Sequence, residues 1–289
     1  NFNGKFDYYE PFFGGGSIFF SLASNNLIKK AYLNDIVPQI INFYKVLSNE
    51  SNIEKFIKET KKTEKKFNLL LDDKTLRDEE YYKLRDKFNA EWKIFYKEKD
   101  DTKGAISLAS KFISLNKLCF NGMFRLNLKG EFNIPIGSHK MVKIINEDNI
   151  IDVSKLLKKS HLTCKDYKDT RAFKKELDKY SLIFLDPPYI PNSKTANFTD
   201  YSSEGFNFKN HKELSIYFSN LITTKAKVIL TNNNNSISQD LFVKGNNVFT
   251  YEIEVTKTIS ADPSKRGKTN ELLISNFEIP FLKDKRINL

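Results

Sequence analysis

The chain has 289 residues, 40% of them hydrophobic, with 25 Phe and 13 Tyr, which excludes a disordered polymer and leaves room for about two domains. No apolar run has the length of a membrane span, the amino-terminal residues show no signal-peptide core, and two cysteines are too few for a disulfide framework or a zinc cluster. Lys and Arg number 47 against 36 Asp and Glu, a net charge of +11, which favours a polyanionic partner such as nucleic acid. Cys119 and Cys164 read as reduced core residues of a cytoplasmic protein, bacterial or phage-encoded.

In chain order, Lys5 to Pro11 reads as a strand, "FFGGGS" as a glycine turn, and Ser17 as the N-cap of a helix. Ala31 to Leu33 is a second short strand that ends on Asp35. From about Ser48 to Leu118 the sequence is charge-dense with apolar residues at helical spacing, so an inserted helical segment is predicted, with Trp92 in its core. "NGMFRLNLKGEFNIPIG" (Asn121 to Gly137) alternates and predicts a hairpin. After about Asn149 strands and helices alternate again. "SHLTC" is a strand ending near Asp166, "RAFKKELDKY" a helix, and "YSLIFL" a buried strand stopped by Asp186 and two prolines. "HKELSIYFSNLITT" is helical, "KVILTNN" a strand, and "VFTYEIEVTKTIS" and "TNELLISNF" an antiparallel pair. The α/β pattern therefore occupies 1–47 and 149–289, with 48–148 inserted.

Three acids fall at three predicted strand ends, where open α/β sheets hold their ligands. The glycine turn lets backbone N–H groups approach a ligand closely, and Asp35 follows it by about 20 residues, a spacing that suits a ribose diol. The turn has neither the P-loop pattern nor the spacing G-x-G-x-x-G, so a nucleoside without phosphates fits better than ATP or NAD. S-adenosylmethionine is such a molecule. Asp166 is then placed to accept from the adenine amine of that cofactor, and Asp186 remains for chemistry. "DPPY" alone is also compatible with an ordinary strand-ending turn. His139, His161 and His211 lack metal-ligand spacing, and no metal is expected.

"EPFFGGGS", "NGMFRLNLKGEFNIPIG", "DPPY" and "TANFTDY", in this order, resemble the Dam-type, alpha-group (D12 class) DNA adenine-N6 methyltransferases. The insertion from about Ser48 to Lys103 matches that family poorly. The resemblance implies an α/β fold: a Rossmann-like, S-adenosylmethionine-dependent methyltransferase sheet (1–47 and 149–289) with an inserted helical and β-hairpin target-recognition domain (48–148). It implies cofactor contacts at Glu10, Pro11, Phe12, Gly14, Gly16, Asp35, Asp166 and Asp186. Asp186 and the carbonyl of Pro187 would accept hydrogen bonds from the amino group of a flipped adenine, and Tyr189 would stack on it. Asn197 and Phe198 would lie beside that base, Phe198 either against it or in the core.

In the hairpin, Asn121, Met123, Arg125, Asn127 and Pro135 align with family residues that read GATC. Arg125 would donate to a guanine or contact a phosphate, and Met123 and Pro135 would touch a thymine methyl. Lys265, Arg266 and Lys268, placed in one loop, would bind phosphates. The expected partners are double-stranded DNA and a companion restriction endonuclease, the expected state a monomer, with no membrane. The rival readings are a methyltransferase acting on RNA and a DNA-binding protein of this fold without catalysis. The family also carries a Lys-Trp-Ala-Gly-Gly-Lys-like segment well before the glycine loop. The sequence starts at Asn1, so that segment is expected upstream in the native chain.

Overall fold

The computed structural model describes residues 4–98, 102–138, 141–169, 177–190, 206–257 and 267–287. The sheet order is β3 (Ser160–Thr163), β2 (Ile28–Asn34), β1 (Phe6–Glu10), β4 (Ser181–Leu185), β5 (Lys227–Asn233), β7 (Gly267–Ser275), β6 (Phe249–Lys257), β8 (Arg286–Ile287). β1 pairs in parallel with β2 and β4, and β4 with β5, whereas β5–β7, β6–β7 and β6–β8 are antiparallel. The chain thus runs outward from β1 to β2 on one side and returns to β4 on the other. The strand order reverses between β1 and β4, and their carboxyl ends open on one edge.

The chain forms two compact units, 1–36 with 163–289, and 37–162. These limits differ from the predicted 47/48 and 148/149 because two further helices belong to the insertion. α2 (Pro38–Ser48) packs on α3 (Glu50–Asn68) and α5 (Thr102–Leu118), and α6 (Glu147–Leu157) on α2 and α3. α2 begins on Pro38 at its first turn, where a missing N–H costs nothing. Asn49 caps α3 by accepting from Ser51, and Asn146 caps α6 by accepting from Asn149.

Within the insertion, α4 (Lys74–Glu98) packs on α5, and Phe56, Phe67, Tyr81, Phe88 and Leu108 are buried. Trp92 is buried too, with its ring centroid 6.2 Å from Phe88 and 5.6 Å from Phe95, so it is a core residue as predicted. The Asn121–Gly137 segment is antiparallel but irregular. It has two isolated bridges, Cys119 with Ile136 and Leu126 with Phe132, in place of a continuous ladder.

In the sheet unit β4 is buried at every position, and Leu185, Val228, Leu230 and Ile274 form a core with Phe218 and Phe242. Those rings come from α7 (Phe208–Ile222) and α8 (Ser236–Phe242). Ser17 is exposed and is the first residue of α1 (Ser17–Ser24). The N-cap is Gly16, with φ of 67° and no side-chain cap. A Cβ at Gly16 would lie 2.5 Å from the Phe13 ring, so both conformation and space demand glycine there. Cys119 is buried, but Cys164 is exposed rather than part of the core. The predicted helix over "RAFKKELDKY" falls largely outside the described residues.

Candidate active site

The glycine turn leaves β1 at Glu10 and is held from below by one buried asparagine. Asn34, 1% exposed, donates from Nδ2 to the carbonyls of Pro11 (3.1 Å) and Lys165 (2.9 Å). Its Oδ1 accepts from Thr163 Oγ1 (2.7 Å) and Lys165 N (3.1 Å). Its own carbonyl accepts from Phe13 N at 2.8 Å. One side chain at the end of β2 therefore ties the turn after β1 to the segment that carries Asp166. The neighbouring Asp35 is buried and accepts from Gly14 N at 2.8 Å. Gly14 has φ of 47°, and a Cβ at Gly14 or Gly15 would meet nothing within 4 Å. The turn thus leaves open space where side chains at Gly14 and Gly15 would stand, with the Asp35 carboxylate against its backbone.

Glu10 is 3% exposed and accepts from the Tyr8 hydroxyl at 3.0 Å. Burial pushes its carboxyl up to about 8. The Tyr8 bond opposes that rise, and the Asp186 and Asp35 charges add to it. Burial, reinforced by Glu10, holds the Tyr8 hydroxyl firmly protonated. Asp35 and Asp186, beside a Glu10 carboxyl that a nearby cation would ionise, make a site that suits a cation.

Asp166 is half-buried. Its Oδ1 accepts from Lys168 N at 2.9 Å, and Lys168 Nζ bridges 2.8 Å to Glu213. Beside it, Phe12, Tyr167 and Phe206 form an aromatic cluster with centroid distances of 5.0, 6.2 and 6.2 Å. Tyr167 and Phe206 went unnoticed in the sequence because single aromatics in loops carry no pattern. His211 closes edge-on over Phe206 at 4.8 Å, and burial pushes its imidazole down to about 4, so it is neutral at neutral pH.

At the end of β4, Asp186 is exposed and Pro187 buried. Thr231 Oγ1 donates to Asp186 Oδ1 at 2.7 Å. The Tyr189 hydroxyl donates to Glu271 Oε2 at 3.0 Å. Burial, with the nearby Asp186 and Glu271 carboxylates, keeps that hydroxyl protonated. Ile190 N donates to Asn232 Oδ1 (3.0 Å), and its carbonyl accepts from Asn233 Nδ2 (2.7 Å) and Asn235 Nδ2 (3.2 Å). "DPPYI" is thus clamped by the "TNNNN" run that ends β5 and caps α8. Neither the polar run nor Glu271 was singled out in the sequence, where "KVILTNN" read as a strand and "TNELLISNF" as one of an antiparallel pair. Among the described residues no three His, Cys, Asp or Glu side chains cluster to hold a metal.

The remaining predicted residues belong to the insertion or to β7, or fall outside the described residues. In the insertion, Asn121 adopts φ of 56°, and its buried Nδ2 has no hydrogen-bond partner among the described residues. Arg125 is exposed, with Nε donating to Asn133 Oδ1 at 3.1 Å. Pro135's carbonyl accepts from Phe120 N at 2.9 Å, and Met123 is half-buried or more open beside it. The Asn127 side chain is committed to the turn. Its Oδ1 accepts from Lys129 N and Glu131 N, and its Nδ2 donates to Glu131. Lys268 is not in a loop. It lies in β7 and pairs with Glu254 across the ladder at 2.8 Å, because its strand extends further than the Pro and Gly around it suggest. Asn197, Phe198, Lys265 and Arg266 lie outside the described residues.

The model of the D12 class N6 adenine-specific DNA methyltransferases matches residues 1–259. The chain is 37% identical over 273 residues to the type II methyltransferase M.MjaIII of Methanocaldococcus jannaschii, covering 93% of this chain and 88% of that protein. It is 30% identical to the type II methyltransferase M1.LlaDCHI of Lactococcus lactis, covering 93% and 86%. To the DNA adenine methylase of Serratia marcescens it is 28% identical, covering 91% and 87%. A family match across nearly the whole chain, on an α/β sheet whose glycine turn and acids meet at one strand-order reversal, means that this protein belongs to the D12 class of N6 adenine-specific DNA methyltransferases, enzymes that methylate adenine in DNA.

Proposed function

We propose that this enzyme takes a methyl group from S-adenosylmethionine to the N6 amino group of an adenine extruded from duplex DNA, within GATC. The observation that carries the reading is the convergence of Glu10, Asp35 and Asp186 with an open glycine turn at the carboxyl ends of β1, β2 and β4. A cofactor that is cationic at both ammonium and sulfonium fits that charge, and a nucleoside without phosphates fits a turn that lacks the sequence pattern G-x-x-x-x-G-K-[ST]. Bound there, the cofactor supplies an electrophilic methyl whose sulfonium leaves as a neutral thioether.

The chain's own residues do the rest. Adenine's amino lone pair is delocalised into its ring, so the nitrogen is a poor nucleophile. Asp186 accepts a hydrogen bond from one amino proton and the Pro187 carbonyl from the other, which draws the lone pair out toward the methyl. Proline fixes the backbone, so that carbonyl is set before the base arrives. Tyr189 offers a ring face for the extruded base, and its hydroxyl is tethered to Glu271. The N–C bond forms as the C–S bond breaks, and the nitrogen's proton passes to water at the exposed Asp186.

The insertion is read as the target-recognition domain. Arg125, on an exposed face, contacts a guanine edge in the major groove. Asn121 would meet a base edge only by turning out its Nδ2, which is buried with no partner among the described residues. Met123 and Pro135 touch a thymine methyl, and Asn127 shapes the turn. Two of the chain's relatives are type II methyltransferases by name, which supports a companion endonuclease. One extruded base needs one active site, so the reading includes a monomer. The test is transfer of labelled methyl to a GATC duplex and to duplexes with single changes, beside D186A. Transfer confined to GATC and lost in D186A is expected; transfer to another sequence would sink the target assignment and keep the chemistry.

A further inference from the structure

The register of β4 with β5 places Leu185 beside Leu230, so the next residues in each strand, Asp186 and Thr231, are lateral neighbours. The Thr231 hydroxyl donates to Asp186 Oδ1 at 2.7 Å, and a carboxylate can only accept. Among the described residues, Oδ2 has no hydrogen-bond partner. We propose that Thr231 is a positioning residue for methyl transfer: it fixes the plane of the Asp186 carboxylate and leaves Oδ2 aimed at the acceptor amino group. The inference rests on the reading of Asp186 as the acceptor of that amino hydrogen bond.

Two features of the site require such a device. Asp186 is exposed at a strand end, where no packing restrains it, and the χ2 torsion of an aspartate has a broad, shallow profile. An unrestrained carboxylate would sample orientations in which neither oxygen meets the nitrogen, and small misplacements are costly to rate. Thr231, by contrast, is held on both sides. Its backbone lies in β5 between β4 and β7, opposite Leu273, and its β-branched side chain has few rotamers. The hydroxyl's single proton has the Leu185 carbonyl as its other acceptor, at 3.4 Å against 2.7 Å, so the shorter bond to the carboxylate takes it. The anchor is therefore stiffer than the group it holds.

Three variants test this. Thr231→Val keeps the shape and β-branching but removes the donor, Thr231→Ser keeps the donor, and Asp186→Ala serves as the reference. Steady-state methylation of duplex DNA is expected to show kcat reduced about 10- to 100-fold in T231V, with both KM values and the melting temperature unchanged. T231S should stay within about threefold of the parent, its smaller side chain being less restrained. A parent-like kcat in T231V, a loss in T231S equal to that in T231V, or a loss seated in KM would overturn the positioning role. Full activity of D186A would instead overturn the reading of Asp186, and with it the role of its anchor. Crystal structures give a readout independent of turnover. The Asp186 carboxylate should keep its plane in T231S and turn or become multiply oriented in T231V; an unmoved carboxylate in T231V would refute the proposal.

Discussion

Glu10 holds its proton where ordinary glutamates have lost theirs. Its carboxyl titrates near 4.5 in an unfolded chain and near 8 in the fold, burial being the main cause. Between those values the folded protein binds a proton at Glu10 that the unfolded chain has released, so Glu10's contribution to the stability of the ligand-free protein falls as pH rises through that window, while His211, neutral in the fold, contributes with the opposite sign between about 4 and 6.5. A cation bound beside Glu10 favours the ionised form, so binding of S-adenosylmethionine should release a proton and tighten from about pH 6 to 8. Calorimetry in buffers of different ionisation enthalpy reads that proton. In E10Q both the fall in stability and the pH dependence of binding should vanish; persistence of either would place the titration on another group. The sequence singled out Glu10 through "EPFFGGGS", but its protonation was not legible there, because it depends on burial and on Tyr8, Asp35 and Asp186 arriving from β1, β2 and β4.

At the scale of elements, strand order and glycine turn place the ligand edge, and single side chains lock it. Asn34 joins the turn after β1 to the residues before Asp166 through four side-chain hydrogen bonds. Asn34→Ala leaves those buried partners unsatisfied and should destabilise the protein by about 2–4 kcal/mol, read as a lower melting temperature with weakened cofactor binding. An unchanged melting temperature would show that the turn stands without it. The strands β1, β4, β5, β6 and β7 were visible as apolar or alternating runs, and "DPPY" as a strand end. Helices α2 and α6 were missed at the edges of the insertion. Their apolar residues cover other helices rather than the sheet, and nothing in the local pattern tells one partner from another. The hairpin was recognised by its alternation, but its two bridges fall short of a ladder because Asn127 and Gly130 close the turn through side-chain and left-handed backbone contacts. The clamp of Asn232, Asn233 and Asn235 on Ile190 has no periodicity at all, so only the fold reveals it.

For the whole molecule, charge is the property that composition gave most directly. A net +11 on a DNA enzyme implies phosphate contacts, and each one displaces counterions. The affinity for a duplex of any sequence should fall log-linearly with salt, by at least about 100-fold between roughly 50 and 200 mM. Fluorescence anisotropy measures this, and a flat response would remove the lysine excess from the account of DNA binding. Lys268, paired with Glu254 in β7, contributes less to that response than its place in a basic stretch suggests, since its charge already has a partner.

The order of the sheet carries one more consequence. β1 lies between β2 and β4, yet β4 is encoded only after residues 37–162, a unit compact in itself. During synthesis, β1 and β2 leave the ribosome first and the helical unit follows, able to fold from its own continuous segment. Until Ser181–Leu185 emerges, β1 keeps an open edge of unpaired N–H and C=O groups, with Tyr8 on one face of the strand and Tyr9 on the other. The nascent chain therefore passes through a stage in which β1, a central strand of the finished sheet, offers an unpaired edge, and a pause in translation between residues 163 and 180 would prolong that exposure.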